Sequence, residues 1–206
     1  MDNRPSLYLA SRSPRRRELL QQIGVRFELL DIEVDEVPLP EEQPQDYVQR
    51  VAEDKAVAGF RQLNETARLP VLAADTSVVV NGHILGKPEN RDHALWMLGQ
   101  LSGTTHEVFS AVTLCRSVVQ TRLSVSQVTF RKLSEAEMLG YWHTGEPLDK
   151  AGSYAIQGLG AQFIARLEGS YSAVMGLPLF ETAELLQLAG IEFGAGKTNS
   201  IGQGSI

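Results

Sequence analysis

Leu7-Tyr-Leu-Ala-Ser-Arg-Ser-Pro-Arg-Arg-Arg-Glu-Leu-Leu20 places an apolar run, a short polar turn and a helical pattern in immediate succession. Strand, turn and helix in that order open an α/β fold. Ser13 stands where a helix N-cap belongs, Pro14 suits the first helical position, and Gly24 is placed to stop the helix. Outward from this stretch, Leu7–Ser11, Phe27–Ile32, Val71–Asn81, Val108–Arg116 and Leu123–Phe130 read as strands. Helical periodicity covers Pro14–Ile23, Pro44–Leu63, Arg91–Leu101, Ser134–His143 and Leu179–Leu188, with Ser134 and Glu137 spaced as a capping box. Between them, Val37-Pro-Leu-Pro-Glu-Glu-Gln-Pro44 reads as a surface connector leading into a helix.

The chain has 206 residues, of which 43% are hydrophobic, enough for one sizeable core or two modest lobes. Its net charge of -6 argues against a general nucleic-acid binder, because duplex affinity requires many phosphates to be neutralised by clustered cations. Cys115, the single cysteine, sits in an apolar run and is expected to be a buried, reduced thiol. No apolar segment approaches the ~20 residues that span a bilayer, and Met1–Pro5 has no signal-like apolar region. No membrane partner is expected, and the expected location is the cytoplasm. The stretch from Gly194 to Ile206 is glycine-rich and polar, and is expected to be a disordered tail after a single domain over residues 1–193. Gly194-Ala-Gly-Lys-Thr198 looks like half of a P-loop, but the first glycine of that motif would fall at Ile191 and no helix can follow.

Arg15, Arg16 and Arg17 crowd the positive end of a helix dipole, where exposed cations are unfavourable by ~0.3 to 1 kcal/mol each. A bound anion reverses the sign of that effect, since free backbone N–H groups and guanidinium forks then converge on one polyphosphate. The alternative is a solvated basic turn with Arg12 or Arg17 paired to nearby acids.

Asp75 lies in Val71-Leu-Ala-Ala-Asp-Thr76, ahead of Val78-Val-Val80. A carboxylate inside an apolar strand needs a partner, either a metal ion or cation, or a hydrogen-bonded turn such as a cap on Thr76. Asp31, Glu33, Asp35 and Glu36 follow another strand, and one or two of them could reach a divalent ion on a polyphosphate. Lys55 and Lys87 are candidate phosphate contacts, weighed against ordinary surface lysines. Glu146-Pro-Leu-Asp-Lys-Ala-Gly-Ser-Tyr-Ala-Ile-Gln-Gly-Leu-Gly160 is dense in polar groups and glycines, and Gln157 within it offers both a donor and an acceptor to a base. Asp149 and Lys150 read as exposed if that segment is merely a structural turn. His83, His93, His106 and His143 show no zinc-ligand spacing, and there is no nucleophile elbow.

Ser11-Arg-Ser-Pro-Arg-Arg16, Ala74-Asp-Thr76, Gly86-Lys-Pro88 and Leu148-Asp-Lys-Ala-Gly-Ser-Tyr-Ala-Ile-Gln-Gly-Leu-Gly160, with Gly169-Ser-Tyr171 and Val174-Met-Gly-Leu-Pro178, closely resemble the Maf family of nucleotide pyrophosphatases. The match runs over roughly residues 6 to 190. The resemblance implies an elongated mixed β-sheet with flanking helices, similar in architecture to inosine triphosphate pyrophosphatases, with two lobes around a cleft. It implies a house-cleaning hydrolase that converts nucleoside triphosphates to monophosphate and pyrophosphate with a divalent cation, Mg²⁺ or Mn²⁺, and a possible homodimer. Thr76 and Gln157 match the branch acting on dTTP and UTP. By the same resemblance, Asp75 corresponds to the general base, and Arg15, Thr76 and Gln157 to specificity positions. Ser13, Arg15, Arg16, Lys55 and Lys87 correspond to phosphate-binding positions, and Glu36 with Asp75 to the metal site. Ala74 stands where the family often has glycine. The family's association with septum formation supplies the rival reading, a non-catalytic nucleotide-binding regulator of division.

Overall fold

The computed structural model describes residues 4–64 and 69–194. The tail expected to be disordered lies outside the described residues except for Gly194, whose N–H donates to the Ile23 carbonyl at 2.6 Å. Among the described residues, a mixed sheet of seven strands is flanked by helices, as the resemblance implied. The strands are β1 (Leu7–Leu9), β2 (Phe27–Leu29), β3 (Val71–Val80), β4 (His83–Leu85), β5 (Thr105–Cys115), β6 (Val119–Phe130) and β7 (Ile164–Glu168). The helices are α1 (Pro14–Gln22), α2 (Pro44–Gln62), α3 (Arg91–Leu101), α4 (Glu135–His143), α5 (Tyr171–Met175) and α6 (Leu179–Leu188).

Sheet order is β2-β1-β3-β5-β6-β7, with β4 joined to β3. β1 runs parallel to β2 and β3, and the remaining pairings are antiparallel. β3 organises the molecule. One of its edges pairs with β5 continuously from Val71 to Val79. Its other edge pairs with β1 only at Val71 and Leu72, and with β4 only from Val78 to Val80. The edge between Leu72 and Val78 is therefore free of a strand neighbour, and Asp75 and Thr76 lie in that break.

Alternation along β3 sends its side chains to two different layers. Leu72 and Ala74 join Leu7, Leu9, Leu20, Val112, Leu177 and Leu185 in the core under α1 and α6. Val71 and Ala73 pack on the opposite face with Ala10 and Ala56 of α2. A further core, around Val78, Met97, Val128, Phe130 and Phe163, closes the far end beneath α3 and α4. Ala74 is fully buried, so its methyl group is accommodated as core where the family often has glycine.

Helix termini follow the local chemistry. Ser134 and Glu137 form both halves of a capping box, and Gly24, at φ 74°, donates its N–H to Gln21 to end α1. Ser13 is the N-cap of α1 by position and backbone, yet its hydroxyl makes no capping bond. The hairpin of β5 and β6 is longer than expected, reaching back to Thr105 and Val119, because polar residues alternate with apolar ones along its outer halves. β7 and α5 were not anticipated: each is only five residues long.

Candidate active site

The break in the β3 edge opens beyond the carboxyl end of β1, where the chain turns into α1. Ligands of open α/β sheets commonly bind at such an end. α2 brings Lys55 to this point, and its ammonium donates to Asp75 Oδ1 at 2.9 Å. The same nitrogen lies 2.7 Å from Glu36 Oε1. Asp75 therefore has a cation as its buried partner, and the turn-capping alternative is set aside. Lys55 is held inside by two carboxylates rather than standing on the surface, with its side chain only 12% exposed.

Of Asp31, Glu33, Asp35 and Glu36, only Glu36, itself half-exposed, reaches Lys55. Asp31 and Glu33 pair with Arg12 on the surface, at 2.5 and 2.8 Å, and Asp35 accepts the Val37 N–H at 2.9 Å. Burial works against ionisation of Glu36, but Lys55 outweighs it, helped by Lys87 and Arg16, and the carboxyl sits below its ordinary value. Glu36 and Asp75 thus face one another across a single ammonium.

The basic turn divides as the alternatives required. Arg12 is exposed and paired, while Arg15 and Arg16 point inward and make no salt bridge among the described residues. Arg16 Nε donates to the Gly176 carbonyl at 2.8 Å, and Arg15 Nε to the Met175 carbonyl at 3.1 Å. Arg17 is half-buried and reaches the Arg12 carbonyl at 3.0 Å. Burial lowers the guanidinium pKa of both Arg15 and Arg16. Asp75 and Glu36 oppose that shift at Arg16, Arg15 adds to it, and Glu18 and Asp149 oppose it at Arg15. Arg16 Nη1 donates to Ser11 Oγ at 3.4 Å, and the uncapped start of α1 adds open backbone N–H groups beside Ser13. Such a place favours an anion.

The loop over residues 146–160 supplies the opposite wall. Gly152 N–H donates to the Gly86 carbonyl at 3.1 Å, which sets this loop against the Gly86-Lys-Pro88 turn. Lys150 is half-buried rather than exposed, and its pKa is lowered by burial and by the like charges of Arg15 and Lys87, against Asp149 and Glu146. Lys87 itself is exposed. Farther along, Glu146 gathers three donors: Tyr141 Oη at 2.7 Å, Leu159 N at 2.8 Å and Gly160 N at 2.9 Å. That carboxylate fixes the turn that presents Gln157, an exposed side chain. A Cβ on Gly158 would lie 2.3 Å from Glu146 Oε2, so any side chain there must displace that carboxylate.

Sequence reasoning missed three contributors. The carbonyl groups at the end of α5 hold both arginines, Glu146 holds the glycine turn, and Ser110 holds Thr76. Thr76 Oγ1 lies 2.9 Å from Ser110 Oγ, which donates to the Ala173 carbonyl at 2.6 Å. Only Ser170 carried a local signal for this, as the N-cap that starts α5 by accepting the Ala173 N–H.

Among the described residues no three His, Cys, Asp or Glu side chains gather as a metal cage. Glu36 and Asp75 are the two carboxylates that could hold a hard cation whose remaining positions were filled by substrate phosphates and waters.

Fold and site together define a mixed α/β protein whose β1–α1 turn brings two arginines beside a buried carboxylate–lysine pair. The chain belongs to the Maf family, described as Maf-like protein, which matches residues 6–189. A dTTP/UTP pyrophosphatase of Alkalilimnicola ehrlichii is 56% identical over 193 residues, covering 92% of this chain and 96% of that protein. Its counterpart in Methylococcus capsulatus, also a dTTP/UTP pyrophosphatase, is 56% identical over 90% of this chain and 91% of its own. A solved nucleoside-triphosphatase / dITP/XTP pyrophosphatase of Mycobacterium abscessus aligns over 89% of this chain and 95% of that one, with 17% identity and a TM-score of 0.44, too loose a match to bear on the site.

Proposed function

We propose that this protein hydrolyses dTTP and UTP to the monophosphate and pyrophosphate. The observation that carries the reading is Asp75, a buried carboxylate in the break of β3, held by Lys55 and within electrostatic reach of Arg16. The names borne by relatives at over half identity supply the substrate class.

Water attacks the α-phosphorus in line with the bridging oxygen to the β-phosphorus. Asp75 orients that water and accepts its proton, the new P–O bond forms, and the bond to the bridging oxygen breaks. Pyrophosphate leaves with the electron pair. Arg15, Arg16 and Lys87, with the remaining donor of Lys55 and the Ser13 hydroxyl, hold the triphosphate and meet the charge that accumulates on the leaving group. Glu36 and Asp75 would hold a divalent cation, Mg²⁺ or Mn²⁺, which would supply charge neutralisation on the phosphate oxygens. Gln157 and Thr76 face the base. Little covalent chemistry is asked of the protein, and positioning does most of the work.

Incubation with dTTP and Mg²⁺ should release dTMP and pyrophosphate. Release of dTDP and orthophosphate instead overturns the assigned bond. Asp75→Asn is expected to bind the nucleotide and fail to cleave it; a variant that keeps its effect in cells without turnover would favour the regulator reading.

A further inference from the structure

The hydroxyl of Ser110 has one proton and two lone pairs. Its side chain is fully buried on β5, directly across from Thr76 on β3. A carbonyl can only accept, so the 2.6 Å contact with Ala173 O commits the Ser110 proton. The Gly176 N–H, donating at 2.9 Å, occupies the other side of that carbonyl, so the Ala173 oxygen has a full complement of donors. With its proton committed, Ser110 can only accept from Thr76. The Thr76 proton is consequently directed into the protein, and the outward side of Thr76 Oγ1 presents lone pairs alone. Because residue 176 is glycine, no side chain there covers that oxygen, which an added Cβ would touch at 3.9 Å.

We propose that Ser110 is a positioning residue for base selection: by fixing the polarity of Thr76, it makes the pocket accept the imide N–H of uracil and thymine and reject cytosine. Uracil and thymine carry a hydrogen on N3; cytosine has a lone pair there, which would meet the lone pairs of Thr76. An opposed polar contact at the base is costly, so polarity discriminates where shape does not. The proposal rests on the reading of Thr76 as a residue that faces the base.

The test compares kcat/KM for UTP and CTP in the wild type, Ser110→Ala and Thr76→Val. The wild type should favour UTP. Removing the Ser110 hydroxyl frees the Thr76 proton to turn outward, so the UTP/CTP ratio should fall about tenfold in Ser110→Ala. Thr76→Val should weaken UTP turnover with no loss for CTP, which separates loss of the hydroxyl from its reversal. Ser110→Ala also deprives the Ala173 carbonyl of a donor, and that disturbance acts on both substrates alike, leaving the ratio unmoved. An unchanged ratio in Ser110→Ala overturns the proposal even if both rates drop. A wild type that cleaves neither UTP nor dTTP overturns the proposed function, and this inference with it.

Discussion

Lys55 Nζ donates to Asp75 Oδ1 at 2.9 Å, and both side chains are nearly closed to solvent, at 12% and 9% exposure. An apolar strand tolerates the aspartate because a helix on one face of the sheet delivers the counter-charge. Removing one member of a buried pair leaves an uncompensated charge, which costs about 3 to 5 kcal/mol, whereas removing both is often nearly neutral. Lys55→Met should accordingly destabilise the protein by that order, and Lys55→Met combined with Asp75→Leu by much less. Urea unfolding of the two variants checks this. Equal losses would mean that the ammonium is anchored by Glu36 rather than by Asp75.

Glu146 ties three donors to the turn bearing Gln157, so its loss should affect binding before chemistry. For Glu146→Ala, KM for dTTP is expected to rise about tenfold with kcat little changed, because the water, Asp75 and the arginines lie on other elements. Gly158→Ala should behave similarly, since its methyl group would displace the same carboxylate. Steady-state kinetics on dTTP separate the two constants. A fall in kcat at unchanged KM would place the loop in the chemical step instead.

Much of this was legible because it was local. Arginines at a helix start, a carboxylate in an apolar strand, and a glycine-dense loop each violate a local preference, and such violations mark sites. Asp75 stood out for that reason, as did the arginine turn. The contacts that arrange these residues are long-range and carry no such mark. Ser110 looks like any small polar residue on a long strand until β3 pairing and α5 packing place Thr76 and Ala173 beside it. Lys55 read as one lysine on an amphipathic helix, and only tertiary packing revealed its two acids. Of four neighbouring carboxylates, nothing in the spacing singled out Glu36. α5 and β7 escaped notice because five residues are too few for either period to show.

His106 is 1% exposed, edge-on to Phe130 and Tyr154, and its Nε2 meets Tyr154 Oη at 2.9 Å. Burial lowers its pKa from 6.5 to about 4. The unfolded chain takes up this proton at higher pH than the folded one, so stability is full above 6.5, falls as pH drops toward 4, and levels off below. The loss across that window is on the order of 3 kcal/mol at 1.36 kcal/mol per unit. His106→Gln keeps a polar partner for Tyr154 without a titrating group. Its unfolding free energy, subtracted from that of the wild type at each pH, should reveal this slope. A difference that stays constant from pH 7 to 4 would show that the ring does not titrate on unfolding.

Arg12 and Arg16 stand four positions apart in the same turn, yet the structure gives them opposite surroundings. Arg12 is met by Asp31 and Glu33 at the surface, where salt screens the pair. Arg16 is anchored through Nε to the Gly176 carbonyl and makes no salt bridge among the described residues, with Asp75 and Glu36 acting on it only at a distance, so its charge remains available to a phosphate. Lysine at either position preserves charge but loses the planar fork. Arg16→Lys should therefore lower kcat/KM for dTTP by 10- to 100-fold, on the order of 1.4 to 2.7 kcal/mol of transition-state stabilisation, while Arg12→Lys leaves it within about twofold. Pyrophosphate inhibition gives a second measure, since its affinity should drop in Arg16→Lys and hold in Arg12→Lys. If the two variants lose activity equally, the turn acts as a diffuse positive field, and Arg16 is no specific ligand of the triphosphate.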